Sequence, residues 1–204
     1  MPRANNIDAT ISDSDQPAPR AAEKIMAAAR DLFYSRGIRA IGVDEIVRKA
    51  GVTKPSLYRS FPSKDELAAS YLRRYDRDFW ERFDQAVEAH PGDPRAQIAA
   101  FLTRVGKRSQ KPGYRGCGMT NAAVEYPETG HPARIVSEDN KKELRRRLRE
   151  MAAAMGASDA ATLGDGLLLL IEGAYISSQL FGQGGPAASV AKNADLMIAA
   201  SLAD

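Results

Sequence analysis

Histidine and cysteine are nearly missing from this chain: it has His90 and His131, each directly before a proline, and a single cysteine, Cys117. One cysteine excludes an internal disulfide framework and fits a reducing, cytoplasmic setting. No set of His, Cys and carboxylates has metal-ligand spacing, so no metal is expected. Glycine loops of the P-loop or dinucleotide type are lacking, and no cofactor is expected. A covalent enzyme needs a nucleophile with a base. Nothing in the sequence places Cys117 with His131, and Glu125 with Asp139 has nothing to recommend it as an acid–base pair. The chain does not read as an enzyme.

Long apolar runs are scarce as well. The longest leucine-rich run, "LLLLI" at 167–171, lies between Asp165 and Glu172 and is far too short to span a bilayer. The first twenty residues, "MPRANNIDATISDSDQPAPR", have no apolar core segment and do not read as a secretory signal. No membrane is expected as a partner. Neither strand alternation nor an internal repeat is visible, which leaves an all-α class.

What the chain does have is an uneven distribution of charge. The net charge is only +3, yet residues 20–64 carry ten Lys and Arg against four Asp and Glu. A basic excess confined to one block is the footprint of a chain that meets a polyanion. Residues 1–19 are polar and non-periodic and read as a disordered tail. From Ala21 onward the apolar period becomes helical, with Ile25, Ala29, Leu32 and Phe33 on one face and Gly37 as a stop. A short helix, "VDEIVRKA", then ends at Gly51. Thr53 can cap the still shorter "KPSLYRS", where Pro55 sits in the permissive first turn. Ser63 with Glu66 forms a capping box that starts a long helix over 64–88. Further helices are expected at 94–109, 117–126, 132–155, 159–182 and 187–202, about nine in all.

The helices within 21–61 have the layout of a helix-turn-helix, the second ending at a glycine and the third presenting its N-terminal end outward. A short helix of this kind fits the major groove, while hydroxyls and cations around it grip phosphates. Leu57 and Phe61 point inward. That leaves Lys54, Ser56 and Arg59 for bases or backbone, Tyr58 for a phosphate, and Lys64 as a further cation on the same side. The stretch "IMAAARDLFYSRGIRAIGVDEIVRKAGVTKPSLYRSFPSKDEL" resembles the tetracycline-repressor (TetR) family of bacterial transcriptional regulators. The resemblance implies a DNA-binding domain at 20–66 and a helical ligand-binding, dimerising domain at 67–204. Thr53, Lys54, Ser56, Tyr58, Arg59 and Lys64 match the family's operator-contacting positions. Gly42 departs from the pattern, because the family often has a threonine there and glycine offers no hydroxyl. The expected partner is a double-stranded DNA operator.

Past Leu67 the likeness weakens, although "RGCGMTNAAVEYPETGHPAR" and "LLLLIEGAYISSQLFG" look like segments of one broad branch of the family. The helices near 159–182 and 187–202 are apolar over more than one stripe, as a homodimer seam requires; a central core helix of a monomer would look similar. Trp80, Phe83, Phe101, Met119, Asn121, Tyr126, Tyr175 and Gln179 mix aromatic surface with polar handles, which suits a small-molecule pocket and equally a helical core. Cys117, between two glycines and near Arg115, joins that set. It reads either as a thiol sensor or as a small buried residue. Both histidines are expected in surface loops. The expected function is that of a sequence-specific repressor released from a palindromic operator by an unidentified small-molecule inducer. The alternatives are a regulator switched by covalent modification of Cys117 and a non-specific architectural DNA-binding protein.

Overall fold

The computed structural model describes residues 20–203; the tail expected at 1–19 lies outside the described residues. All regular structure among the described residues is helical. The order is α1 (Ala21–Arg36), α2 (Val43–Ala50), α3 (Lys54–Ser60), α4 (Lys64–Glu88), α5 (Pro94–Ser109), α6 (Gly118–Glu125), α7 (Pro132–Ala154), α8 (Ala160–Phe181) and α9 (Val190–Ser201).

Side-chain caps start four of the longer helices. Ser63, Asp93, His131 and Asp159 accept from the backbone N–H groups of Glu66, Ala96, Ala133 and Thr162, each satisfying a donor that has no partner inside its helix. The expected helix at 187–202 is divided. Gly185 and Pro186 open a short 3₁₀ turn, Pro186–Ser189, before α9 begins; Pro186 has no N–H to donate, and Ala188 bonds back to the Gly185 carbonyl instead.

The first three helices enclose their own apolar centre, Ile25, Phe33, Ile38, Ile41, Ile46 and Leu57, all buried. Helix α4 leaves this group and runs into the helical body, where it packs on α5, α6 and α7. Within the body, α7 packs along α8 and also touches α4, α5 and α6. The α7–α8 approach is close because residue 164 is glycine: a Cβ there would lie 2.7 Å from the Arg149 Cα. Helix α8 carries the leucine-rich run. The five-residue run is short, but the 22-residue helix around it reaches a mean hydropathy of 1.2 and by length and composition could cross a membrane. Here Asp165 and Glu172 tie it to α7 by ion pairs with Arg145, Arg149 and Lys141.

The carboxylates held by the arginines of α7 have a pH consequence. Hydrogen bonds from Arg146 and Arg147 pull the Glu143 carboxyl down to about 2, and Arg145 and Arg149 hold Asp165 well below the usual carboxylate range. Carboxyls depressed in the folded state stabilise it above their ordinary value of about 4 and lose that contribution as pH falls through the folded values. Melting temperature should therefore stay level from pH 7 to 5 and fall below about pH 4. Asp165→Asn should make the acid limb shallower, as should high salt, because these groups are exposed enough to be screened. An unchanged acid limb in that variant would refute the assignment.

Candidate nucleic-acid interface and neighbouring cleft

The outward end of α3 is built by two caps. Gly51 adopts a left-handed conformation (φ 64°) at the end of α2, and its N–H closes onto the Val47 and Arg48 carbonyls. Two residues later Thr53 starts α3, its Oγ1 accepting from the Ser56 N–H and lying 3.1 Å from Ser56 Oγ. Arg59 Nη2 donates to the same Ser56 hydroxyl at 2.9 Å. Thr53, Ser56 and Arg59 thus form one row along the helix, one turn apart, opposite the fully buried Leu57. Tyr58 stands beside them, half exposed. The Lys54 ammonium pairs with Asp44 at 2.7 Å, and the hydrogen bond to that carboxylate raises its pKa, so it is a cation at any physiological pH. Gly42 heads α2 with no side-chain cap, as its lack of a hydroxyl requires. Phe61 is only partly buried, packed against the core.

Lys64 sits differently from the row. Its ammonium donates to the Arg39 carbonyl at 3.3 Å, and burial lowers its pKa despite nearby Asp65 and Glu125. Arg39 is itself anchored to the body: its N–H donates to the Glu125 carboxylate and its guanidinium to the Glu125 carbonyl. Next to this anchor the Tyr126 ring stacks on His131 at 3.8 Å, and His131 Nε2 lies 3.4 Å from Asp65. His131 is therefore part of the junction between reader and body and not a surface loop residue. His90 is exposed, as expected.

The nine residues expected to line a ligand site lie mostly within the packing of the helical body. Phe83 and Phe101 pack edge-on at 5.0 Å, and Trp80 lies under the Arg147 guanidinium at 4.2 Å. Met119 is fully buried. Asn121 accepts from Gln179 and donates to the Arg115 carbonyl, latching α6 to α8. Cys117 is 1% exposed, its Sγ 3.4 Å from Lys141 Nζ, which also pairs with Glu172 at 2.7 Å. Burial works against the Lys141 ammonium, but Cys117 and Glu172 more than offset it and raise its pKa. Phe101 and Tyr175 line a void of about 30 Å³, room for roughly one water. The other seven line neither described cavity.

The spacious site is a cleft of about 690 Å³ between reader and body. One wall is α1, with Arg30 and Tyr34, and the last turn of α2 with Lys49. Facing it are Tyr71, Arg74, Tyr75 and Arg82 of α4, Arg108 at the end of α5, and the loop from Lys111 to Tyr114. The signal for these residues is in the sequence: "YLRRYDRDFWER" repeats tyrosine and arginine at helical spacing on α4, on the face next to the phenylalanines. Burial raises the pKa of Tyr34, Tyr71, Tyr75 and Tyr114, so each phenol stays neutral and able to donate.

Comparison with known proteins accords with this geometry. Residues 25–71 match the family model for bacterial regulatory proteins of the tetR family. The HTH-type transcriptional activator FasR of Mycolicibacterium smegmatis is 33% identical over 118 residues, 56% of this chain and 52% of its own. The transcriptional regulator AcuR of Cereibacter sphaeroides is 28% identical over 53% of this chain and 50% of its own. The chain thus spans about half the length of these curated relatives. A solved TetR-family transcriptional regulator from Streptomyces coelicolor superposes over 90% of this chain and 94% of its own, with a TM-score of 0.80 and 28% identity. Residues 25–71 thus match the tetR family of bacterial regulatory proteins, and the helical body beyond them shares the fold of a solved TetR-family regulator.

Proposed function

We propose that this protein is a homodimeric transcriptional repressor that places two α3 helices in successive major grooves of a palindromic operator and is released by a small molecule in the cleft. The carrying observation is the exposed Thr53–Ser56–Arg59 row on a helix pinned from behind by Leu57. Ser56 and Arg59 read base edges; Thr53, Lys54 and Tyr58 grip phosphates. Lys64 gives one N–H to the Arg39 carbonyl and offers its remaining donors to a phosphate. A reader of this size covers few base pairs, so specificity comes from pairing two of them by a two-fold axis. The seam is the outer face of α8 with α9, where Leu169, Ile176, Leu180 and Leu196 are exposed.

Release follows from where the cleft lies. A ligand that touches α1 on one wall and α4 and α5 on the other favours one angle between reader and body. It weakens operator binding by the factor by which the operator weakens its own. The buried position of Cys117 gives a covalent switch no access to the thiol.

Purified protein exposed to short genomic duplexes at near-physiological salt should retain a two-fold palindrome. On that operator, Arg59→Ala and Ser56→Ala should relax discrimination at particular bases by about 1–3 kcal/mol per good contact, read as the ratio of operator to random-DNA affinity. Equal losses on both DNAs would show that these two residues do not read bases. Retention without a palindrome, lost as salt rises, would leave a non-specific binder.

A further inference from the structure

The cleft's charge contrasts with that of α7. Along α7 all five arginines are paired with carboxylates. In the cleft, among the described residues, only Lys49 has such a partner, Asp31 at 3.4 Å. Arg30, Arg74, Arg82, Arg108 and Lys111 line the same space with no carboxylate within ion-pair distance. Asp78 is the second carboxylate on the walls. Arg82 is only partly exposed; burial and the neighbouring Arg108 both lower its pKa. Two guanidinium groups held together and partly out of water are an unfavourable arrangement that an incoming anion relieves. The Arg108 guanidinium also lies over the Tyr114 ring at 5.7 Å, so a cation and an aromatic face are presented together.

From this we infer that the cleft binds a small organic anion, a carboxylate or phosphate group on a flat apolar body, with Arg82 and Arg108 on the anion and the tyrosines around the body. The volume matches a drug-sized molecule and excludes a duplex. Tyr34, Tyr71, Tyr75 and Tyr114 supply flat aromatic surface, the Tyr34 hydroxyl being spent on the Gly116 carbonyl, which suits a planar body better than an extended chain. The inference rests on the ligand-responsive reading above and names the chemistry of its ligand. It also accounts for the position of Arg30 and Lys49: an anion bound to Arg82 and Arg108 attracts them, and with them the reader, toward the body.

The test uses two dyes with one ring system, 8-anilinonaphthalene-1-sulfonate and its neutral analogue N-phenyl-1-naphthylamine, titrated into the full-length protein at low salt. The anionic dye should saturate at one per chain and bind roughly tenfold tighter or better than the neutral one. Arg82→Met and Arg108→Met should each weaken the anionic dye by about tenfold while leaving the neutral dye, the melting temperature and affinity for the selected duplex unchanged. Displacement by phenyl phosphate or by benzoate supports the proposal and tells the two anion classes apart; displacement by neither overturns it. Equal affinities for the two dyes, or indifference to both substitutions, would place the dye on the exposed apolar face of α8 and overturn it. Loss of duplex affinity in both variants would make these arginines DNA contacts and overturn it too. An anion that binds the cleft with operator affinity unchanged leaves this inference standing and removes the release mechanism. An inducer that frees operator without displacing the dye does the reverse.

Discussion

Leu169→Glu combined with Leu180→Glu should convert the protein to a monomer that keeps its fold and loses its operator. Both side chains are more than 70% exposed in the single chain, and Ile176 and Leu196 continue the patch. Leu169, Gly173, Ile176 and Leu180 are spaced by four, three and four residues, the interval that keeps one seam of a helix facing a partner. Gly173 has open space where a Cβ would stand, so a second backbone can come near. The opposite side of α8 is already occupied: Leu163, Leu167, Ile171 and Ala174 are buried in the body. Substitution on the outer side should therefore leave the melting temperature nearly unchanged. Two carboxylates per chain in a closed seam would each cost several kcal/mol of desolvation, enough to raise the dimer dissociation constant by about a thousandfold or more. Sedimentation should then show one chain per particle. Operator affinity should fall by roughly a hundredfold or more, since one reader makes half the contacts. A variant that remains dimeric would put the interface on another face of the body.

Glu172→Leu should be strongly destabilising, and Lys141→Met in the same chain should restore most of the loss. Glu172 accepts from Thr120 at 2.6 Å and from Lys141 at 2.7 Å, joining α6, α7 and α8 at one point. Lys141 has no other carboxylate partner; Cys117 Sγ at 3.4 Å and the Tyr175 ring at 5.4 Å are what remains to it. Removing the carboxylate strands a largely desolvated ammonium, which costs about 3–5 kcal/mol for a fully buried pair and roughly 2–4 for this partly covered one. In a domain of this size that is a drop of roughly 5–12 °C in melting temperature. Replacing both partners by apolar residues of similar volume removes the stranded charge, and the double variant should recover to within about 1–2 kcal/mol of the parent. Two single losses that simply added would show that the pair is not coupled and that Lys141 is satisfied elsewhere.

Much of the fold could be read in the sequence because its signals are local. The capping box at Ser63 and Glu66 marks the start of α4 to the residue, and "HPGDP" marks its end. One boundary was read too simply, at Pro186, where a missing N–H converts the first turn of the last helix into a 3₁₀ turn. The residues read for a ligand site lie mostly within the packed core, for a definite reason. Phe83, Phe101, Met119 and Tyr175 have the composition of a pocket, but aromatic residues at helical spacing fill a core just as well, and edge-on packing closes the space between them.

What the sequence determined by itself is the reader: Gly51 in a left-handed turn, Thr53 as cap, Leu57 inward, and Ser56, Tyr58 and Arg59 outward follow from neighbours at most six residues apart, where backbone sterics and helical periodicity decide. What only the tertiary structure decided is the pairing of distant groups. Glu125 holds the Arg39 loop across 86 residues, and Lys141 is set between Cys117 and Glu172. The cleft joins Arg30 of the first helix to Arg82 and Arg108 of the body. Such contacts depend on how packed helices place side chains far apart in the chain, which no short stretch of sequence specifies.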